Sequence, residues 1–131
     1  MQRVEVRITT FIQSWRRCMR ITQLQPLPNC RVSFKRSEYK KVSTAPGCYV
    51  LTTFQGEILY IGKTDRSLDV RFQEHLGNSE KTQPTDEGKA FWFYFLEYES
   101  NKIGVLEKTW MNAFVTTEGR LPLLNKISPP G

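Results

Sequence analysis

The hydrophobic positions change period along the chain, and each change marks an element. Residues 4–8, VEVRI, alternate as a strand does. From Thr10 the apolar positions Phe11, Trp15, Cys18 and Met19 recur at helical spacing while Arg16, Arg17 and Arg20 project elsewhere. That spacing predicts an amphipathic helix of about three turns, ended by the two prolines of LQPLPN. Two apolar runs, CYVLTTF and EILYI, then flank Gln55-Gly56, where Gly56 supplies the positive φ of a two-residue hairpin loop. In that register Phe54 faces Glu57 and Leu51 faces Tyr60, so Tyr49 is the diagonal neighbour of Tyr60 on one face of the sheet. A four-residue loop keeps this pairing. A three-residue loop undoes it, because a slip of one residue turns side chains to the opposite face.

Leu68, Phe72 and Leu76 next fall at i, i+4 and i+8, with Ser67 as N-cap, Asp69 in the first turn and Gly77 as the stop. Arg71 and His75, four apart, border that apolar stripe without joining it. GNSEKTQPTDEGK has no period and reads as a mobile loop. Residues 91–98, FWFYFLEY, are apolar on both faces and predict a well-buried strand. Residues 101–116 form a second long helix with Ile103, Leu106, Trp110, Ala113 and Phe114 inward, and Glu107 at the edge of that face. Gly119 stops it, the leucines of EGRLPLLNK pin the chain back, Asn125 follows, and ISPPG is a frayed tail.

Composition narrows the classes. A chain of 131 residues with 39% hydrophobic and 12% aromatic residues is sized for one ordered domain. No apolar run reaches the roughly 18–20 residues of a membrane span, and the amino-terminal stretch lacks a signal-peptide core, so the default location is cytoplasmic. Three widely spaced cysteines, Cys18, Cys30 and Cys48, fit neither a zinc pattern nor a disulfide framework. The net charge is +6, and it is unevenly spread. Residues 1–41 hold ten Lys/Arg against two Glu, a net of +8, whereas the rest holds nine against eleven acids. A basic segment beside a nearly neutral domain suits a polyanion. Within it, Lys35, Arg36, Lys40 and Lys41 alternate with Phe34 and Tyr39, which suits phosphate tracking and base stacking and equally describes an edge strand and loop.

Gly47-Cys48-Tyr49, ten residues, Tyr60-Ile61-Gly62, then Arg71 and His75 four apart resemble the GIY-YIG nuclease family, across roughly residues 45–126. Cys48 stands where the motif usually has isoleucine and faces away from the tyrosines in this register. The resemblance implies an α+β fold over 45–127, a small three-stranded antiparallel sheet flanked by helices, to which the periodicity and charge read above add a strand and helix in a basic extension over 1–44 and a tail at 128–131. It also implies divalent-metal-dependent cleavage of DNA by an endonuclease. Tyr49 or Tyr60 would activate the nucleophile directly or through water, Arg71 would steady the phosphate, Glu107 would hold the metal, and Asn125 would orient a water, Glu107 or a tyrosine.

The chemistry of these groups agrees with that assignment. A phosphodiester needs charge neutralisation and an oriented water, and one carboxylate suits a single Mg²⁺ or Mn²⁺ that keeps several waters. Arg71 matches two phosphate oxygens, and His75 would donate to a phosphate or shuttle a proton. An ordinary tyrosine titrates near 10, so a tyrosine base needs a nearby cation or metal, and Lys63 and Arg71 are placed to provide that field. Thr64 and Lys89 are weaker phosphate contacts. The substrate would be duplex or branched DNA, with a homodimer or a targeting partner engaging the extension. The competing expectation is a non-catalytic DNA-binding or scaffold module on the same fold, which binds in a salt-dependent way without turnover.

Overall fold

Residues 19–125 are described by the structure, a computed structural model. The expected strand at 4–8 and nearly all of the helix expected from Thr10 to Met19 lie outside them. Met19 itself is not helical, since its carbonyl accepts a hydrogen bond from the Ile58 N–H at 3.0 Å. The elements are β1 (Cys30–Ser33), β2 (Gly47–Thr52), β3 (Ile58–Thr64), α1 (Leu68–Leu76), α2 (Ser79–Thr82), β4 (Trp92–Glu97) and α3 (Ile103–Glu118), with short 3-10 turns at Ile21–Gln23 and Arg36–Lys41.

The sheet has four antiparallel strands in the order β1-β4-β2-β3, not the three expected. The fourth, β1, comes from the basic stretch upstream of residue 45, where edge strand and phosphate-tracking loop read alike from composition. Only Val32 of β1 is buried, which explains its weak apolar signal.

Both faces of the sheet are covered, and strand alternation sorts the residues between them. Cys48, Val50 and Ile61 pack with Ile103, Leu106, Trp110 and Phe114 of α3. Tyr49, Leu51, Phe93 and Phe95 pack with Leu68 and Phe72 of α1. Cys48 therefore does face away from the tyrosines, and its burial beside Glu107 pushes the thiol up to about 12. Among the described residues, no helix is long and apolar enough to cross a membrane.

The β2–β3 hairpin reaches the expected register by an unexpected route. Its loop has three residues, Phe54, Gln55 and Gly56, closed by Thr53 N–H to Glu57 O at 2.9 Å and Gly56 N–H to Thr53 O at 2.9 Å. Gly56 has φ 94°, the left-handed conformation such loops place on glycine. Alone, that loop would shift the strands by one residue. A bulge restores the pairing: Thr52 faces Ile58 but Leu51 faces Tyr60, so Leu59 is the extra residue. Tyr49 faces Gly62 and stays on the Tyr60 side.

Two other expectations change. The 78–90 segment is not wholly a loop, because Asn78 accepts from the Glu80 N–H at 2.7 Å and starts α2. β4 is fully buried only at Phe93 and Phe95, and Phe91 and Tyr98 at its ends are exposed.

Candidate active site

β3 lies at one edge of the sheet, so side chains from both faces can meet around its outer rim. Much of that rim is closed by borrowed segments. Ile21 N–H donates to Gly56 O at 2.8 Å near the hairpin tip, and Leu124 N–H donates to Leu59 O at 2.9 Å further along. Asn125 then acts as a piece of strand: its Oδ1 accepts from the Ile61 N–H at 2.8 Å and its Nδ2 donates to Ile61 O at 2.9 Å. Both ends of the amide are spent on the backbone next to Tyr60. Asn125 is thus placed to fix the edge strand that carries Tyr60. Asn125→Ala should cost about 1–3 kcal/mol by stranding two backbone groups, with Asn125→Asp intermediate because it keeps the acceptor. Urea unfolding of both variants measures this, and equal stability of all three proteins would refute it.

On the α1 face the tyrosines and the histidine come together. The Tyr49 and Tyr60 rings are 6.0 Å apart, and each packs on His75, at 5.4 Å and 5.2 Å. The Tyr49 hydroxyl is 2.8 Å from His75 Nε2. With the imidazole proton on Nδ1, Tyr49 donates to Nε2. His75 is only 7% exposed, so it lies in the core and does not merely border it. The aromatic packing of α1 against β2 and β3 carries it inward.

Gly62 makes room for this cluster. A Cβ there would sit 2.6 Å from Tyr49 Cζ and Oη and 2.8 Å from Tyr60 Cε2. Gly47, at the start of β2, has a different constraint: a Cβ would come 2.3 Å from the backbone oxygen of Leu96. Each motif glycine thus answers a close approach.

Burial dominates the ionisation of the cluster. It raises the Tyr49 phenol far above its usual range, Tyr60 adds to the rise, and Arg71 opposes it. Burial also raises Tyr60, with Tyr49, Arg71 and Lys63 pulling it down and Glu107 pushing it up. Loss of hydration outweighs the field of Arg71 at Tyr49 and of Arg71 and Lys63 at Tyr60. For His75, burial first and then Lys81 and Arg71 lower the pKa to about 4. The imidazole is neutral at pH 7.

The charged groups arrive from three elements. Arg71 Nε lies 3.1 Å from Glu74 Oε1, which is an ion pair but too poorly aligned for a hydrogen bond. Glu74 also holds Arg66 at 3.5 Å. From the other face, Glu107 Oε1 accepts from Lys63 Nζ at 3.2 Å, with both side chains partly exposed. The Tyr60 phenol lies in the field of both Arg71, which lowers its pKa, and Glu107, which raises it. A cleft of about 520 Å³ lies at the far end of the strand, between Lys63, Thr64, Asp65 and Arg71 on one side and Ser100, Ile103 and Gly104 on the other. Thr64 is buried and its Oγ1 accepts from the Arg66 N–H at 3.1 Å, so it shapes the turn out of β3.

A second cleft, of about 490 Å³ between Pro46, Glu97, Tyr98, Glu99 and Lys102, carries two carboxylates against one lysine and suits an anion poorly.

The remaining predicted cations lie apart. Lys35, Arg36, Lys40 and Lys41 are on the 3-10 turn that packs against α1 and in its approach, with Lys41 paired to Glu38 at 3.2 Å. Lys89 is exposed in the segment before β4. Two residues of the site were not anticipated. Lys81 on α2 places its ammonium 4.7 Å from the centroid of the Tyr60 ring, and Glu74 pairs with Arg71. Only the spacing of Arg71 and Glu74, three apart on a helix, was visible beforehand.

Residues 45–119 match the family model described as the GIY-YIG catalytic domain, which is more than half of the chain. No curated protein matches it.

Proposed function

The chain belongs to the GIY-YIG family of nucleases, and from that membership we propose that it is a divalent-metal-dependent endonuclease that hydrolyses DNA phosphodiesters around the rim of β3. The observation that carries this reading is the cleft in which Lys63, Arg71 and the first turn of α3 face one volume. It joins two cations, against the single carboxylate of Asp65, to the positive end of a sixteen-residue helix, a combination suited to a phosphate.

Arg71 binds two phosphate oxygens through its planar fork, exchanging part of its pairing with Glu74 for the substrate. Lys63, between Glu107 and the cleft, contributes a second positive charge. Among the described residues no three His, Cys, Asp or Glu side chains form a metal-binding cluster. Glu107 therefore suits one hard ion, Mg²⁺ or Mn²⁺, that completes its shell with water and substrate oxygens. When bound there, such an ion supplies charge neutralisation and a more acidic water.

Tyr60 is the tyrosine placed to meet the substrate, since it is partly exposed while Tyr49 is fully buried. Tyr60 orients the attacking water and passes its proton inward, through Tyr49 to His75 Nε2. A phosphate docked near Arg71 and Lys81 offsets these two cations, which add to the dominant effect of burial in lowering the His75 pKa. Tyr49 and His75 are the inner part of this relay, and Asn125 is a positioning residue for the strand that carries Tyr60.

Incubating purified protein with supercoiled plasmid and Mg²⁺ or Mn²⁺ tests the reading, with nicked or linear product as the expected result. Salt-dependent binding without metal-dependent product would favour the non-catalytic module.

The buried histidine also predicts acid sensitivity. Between pH 6.5 and about 4 the unfolded chain takes up a proton that the folded His75 refuses. Stability is therefore full above pH 6.5 and is lost as pH falls toward 4, by up to about 3 kcal/mol from this group. Chemical unfolding across that range should show the decline, and His75→Gln should flatten this part of it. An identical pH profile in the variant would assign the titration to another group.

A further inference from the structure

The tip of the β2–β3 hairpin carries an aromatic surface that cleavage chemistry does not use. Phe54 is 63% exposed and Phe91 41% exposed. Edge-to-face contacts join Phe54 to Phe91 at 4.9 Å and Phe91 to Trp92 at 4.8 Å. The group is tied in place, because Trp92 Nε1 donates to the backbone oxygen of Phe54 at 3.2 Å and the Arg31 guanidinium lies 3.6 Å from the Trp92 ring centroid. Rings held this way lose little conformational freedom when a ligand covers them.

Positive charge rims this surface. Arg31 covers Trp92, Arg20 Nη1 donates to Gln55 O at 3.3 Å in the hairpin loop, and exposed Lys89 lies two residues before Phe91. Of the nearby acids, Glu87 is paired with Arg120 at 2.8 Å, Glu57 closes the loop opposite Arg20, and Asp86 is exposed. Fixed, exposed rings with a cationic border fit a ligand that has flat apolar faces on a polyanionic chain. Phe54 lies in the hairpin loop and the cleft at the opposite end of β3, so the extended strand from Glu57 to Thr64, roughly 23 Å, separates the platform from the phosphate site.

We propose that Phe54 and Phe91 form a stacking platform for unpaired bases of the DNA substrate, so that the enzyme engages DNA in which a single-stranded arm begins a few nucleotides from the scissile phosphate. This rests on the reading of the site as DNA-cleaving and adds to it a substrate class, a junction between paired and unpaired DNA.

The test measures binding by fluorescence anisotropy with the full chain in metal-free buffer. The probes are a plain 20-nucleotide duplex and the same duplex carrying a six-nucleotide single-stranded arm. The wild type should bind the armed probe at least about tenfold more tightly, and Phe54→Ala/Phe91→Ala should lose that difference. Phe54→Leu/Phe91→Leu keeps the apolar bulk without the rings and should lose it too. An arm that adds nothing to wild-type affinity, or an arm preference that survives in the alanine variant, overturns the platform. Retention of the preference in the leucine variant alone also overturns base stacking, in favour of a general apolar docking surface. Cleavage of plain duplex by the wild type with Mg²⁺ reports separately on the catalytic reading, so the two proposals can fail independently.

Discussion

Glu107→Gln should lower metal-dependent cleavage by about 10²–10³-fold while changing the unfolding free energy by less than about 1 kcal/mol. The two effects separate because of where the carboxylate sits. Its partner in the fold is Lys63 at 3.2 Å, and both side chains reach solvent, so the pair contributes little to stability. Glutamine keeps the size and one acceptor oxygen but removes the charge a hard cation needs. Arg71→Ala should cost a similar factor by removing the phosphate fork, although its pairing with Glu74 is equally dispensable to the fold. Single-turnover cleavage at saturating protein, repeated across a metal titration, distinguishes the two. The Glu107 variant should need more metal, and the Arg71 variant should fail at any metal concentration. Cleavage within tenfold of wild type by either one would remove that residue from the mechanism.

The second large effect is expected from adding a single methyl group. Gly62→Ala places a carbon 2.6 Å from the Tyr49 ring and hydroxyl and 2.8 Å from Tyr60. The Tyr49 ring cannot easily give way. Tyr49 is fully buried and stacked on Phe93 at 5.1 Å, and Phe93 is held edge-to-face by Phe72 at 4.9 Å. Overpacking of this kind costs about 1–3 kcal/mol, and relieving it moves the Tyr49 hydroxyl away from His75. We expect a stability loss of that size together with a fall in cleavage of at least 10²-fold, since the relay and the placement of Tyr60 are disturbed together. Near-ultraviolet circular dichroism reads the tyrosine environment directly. A variant with wild-type spectrum, stability and rate would mean that the glycine answers no steric demand at this position.

The limits of one-dimensional reading are clearest at Asn125 and His75. An asparagine late in the chain, after a glutamate-bearing helix, suggested a group acting on water or metal. Its actual partners are the N–H and C=O of Ile61, and nothing in local sequence announces that a side chain will stand in for a missing strand. His75 was placed at the border of an apolar stripe by helix geometry alone. The aromatic rings that bury it come from β2 and β3, which are distant in sequence. The same distance hid Lys81, whose short helix α2 is built from polar residues without a period. The hairpin makes the converse point. Its loop length was misread, yet the pairing came out as expected because the bulge at Leu59 offset the loop.

By itself the sequence determined the elements whose periods are strong, the shared face of Tyr49 and Tyr60, the helix that presents Arg71, and membership of a nuclease family. These follow from spacing within single segments, where backbone geometry leaves few choices. Only the tertiary structure decided that β3 is an edge strand, that residues from opposite faces meet around its rim, and that burial leaves the phenols protonated and the imidazole neutral. Those outcomes depend on which segments pack together and how much water they exclude, and both quantities belong to the folded chain as a whole.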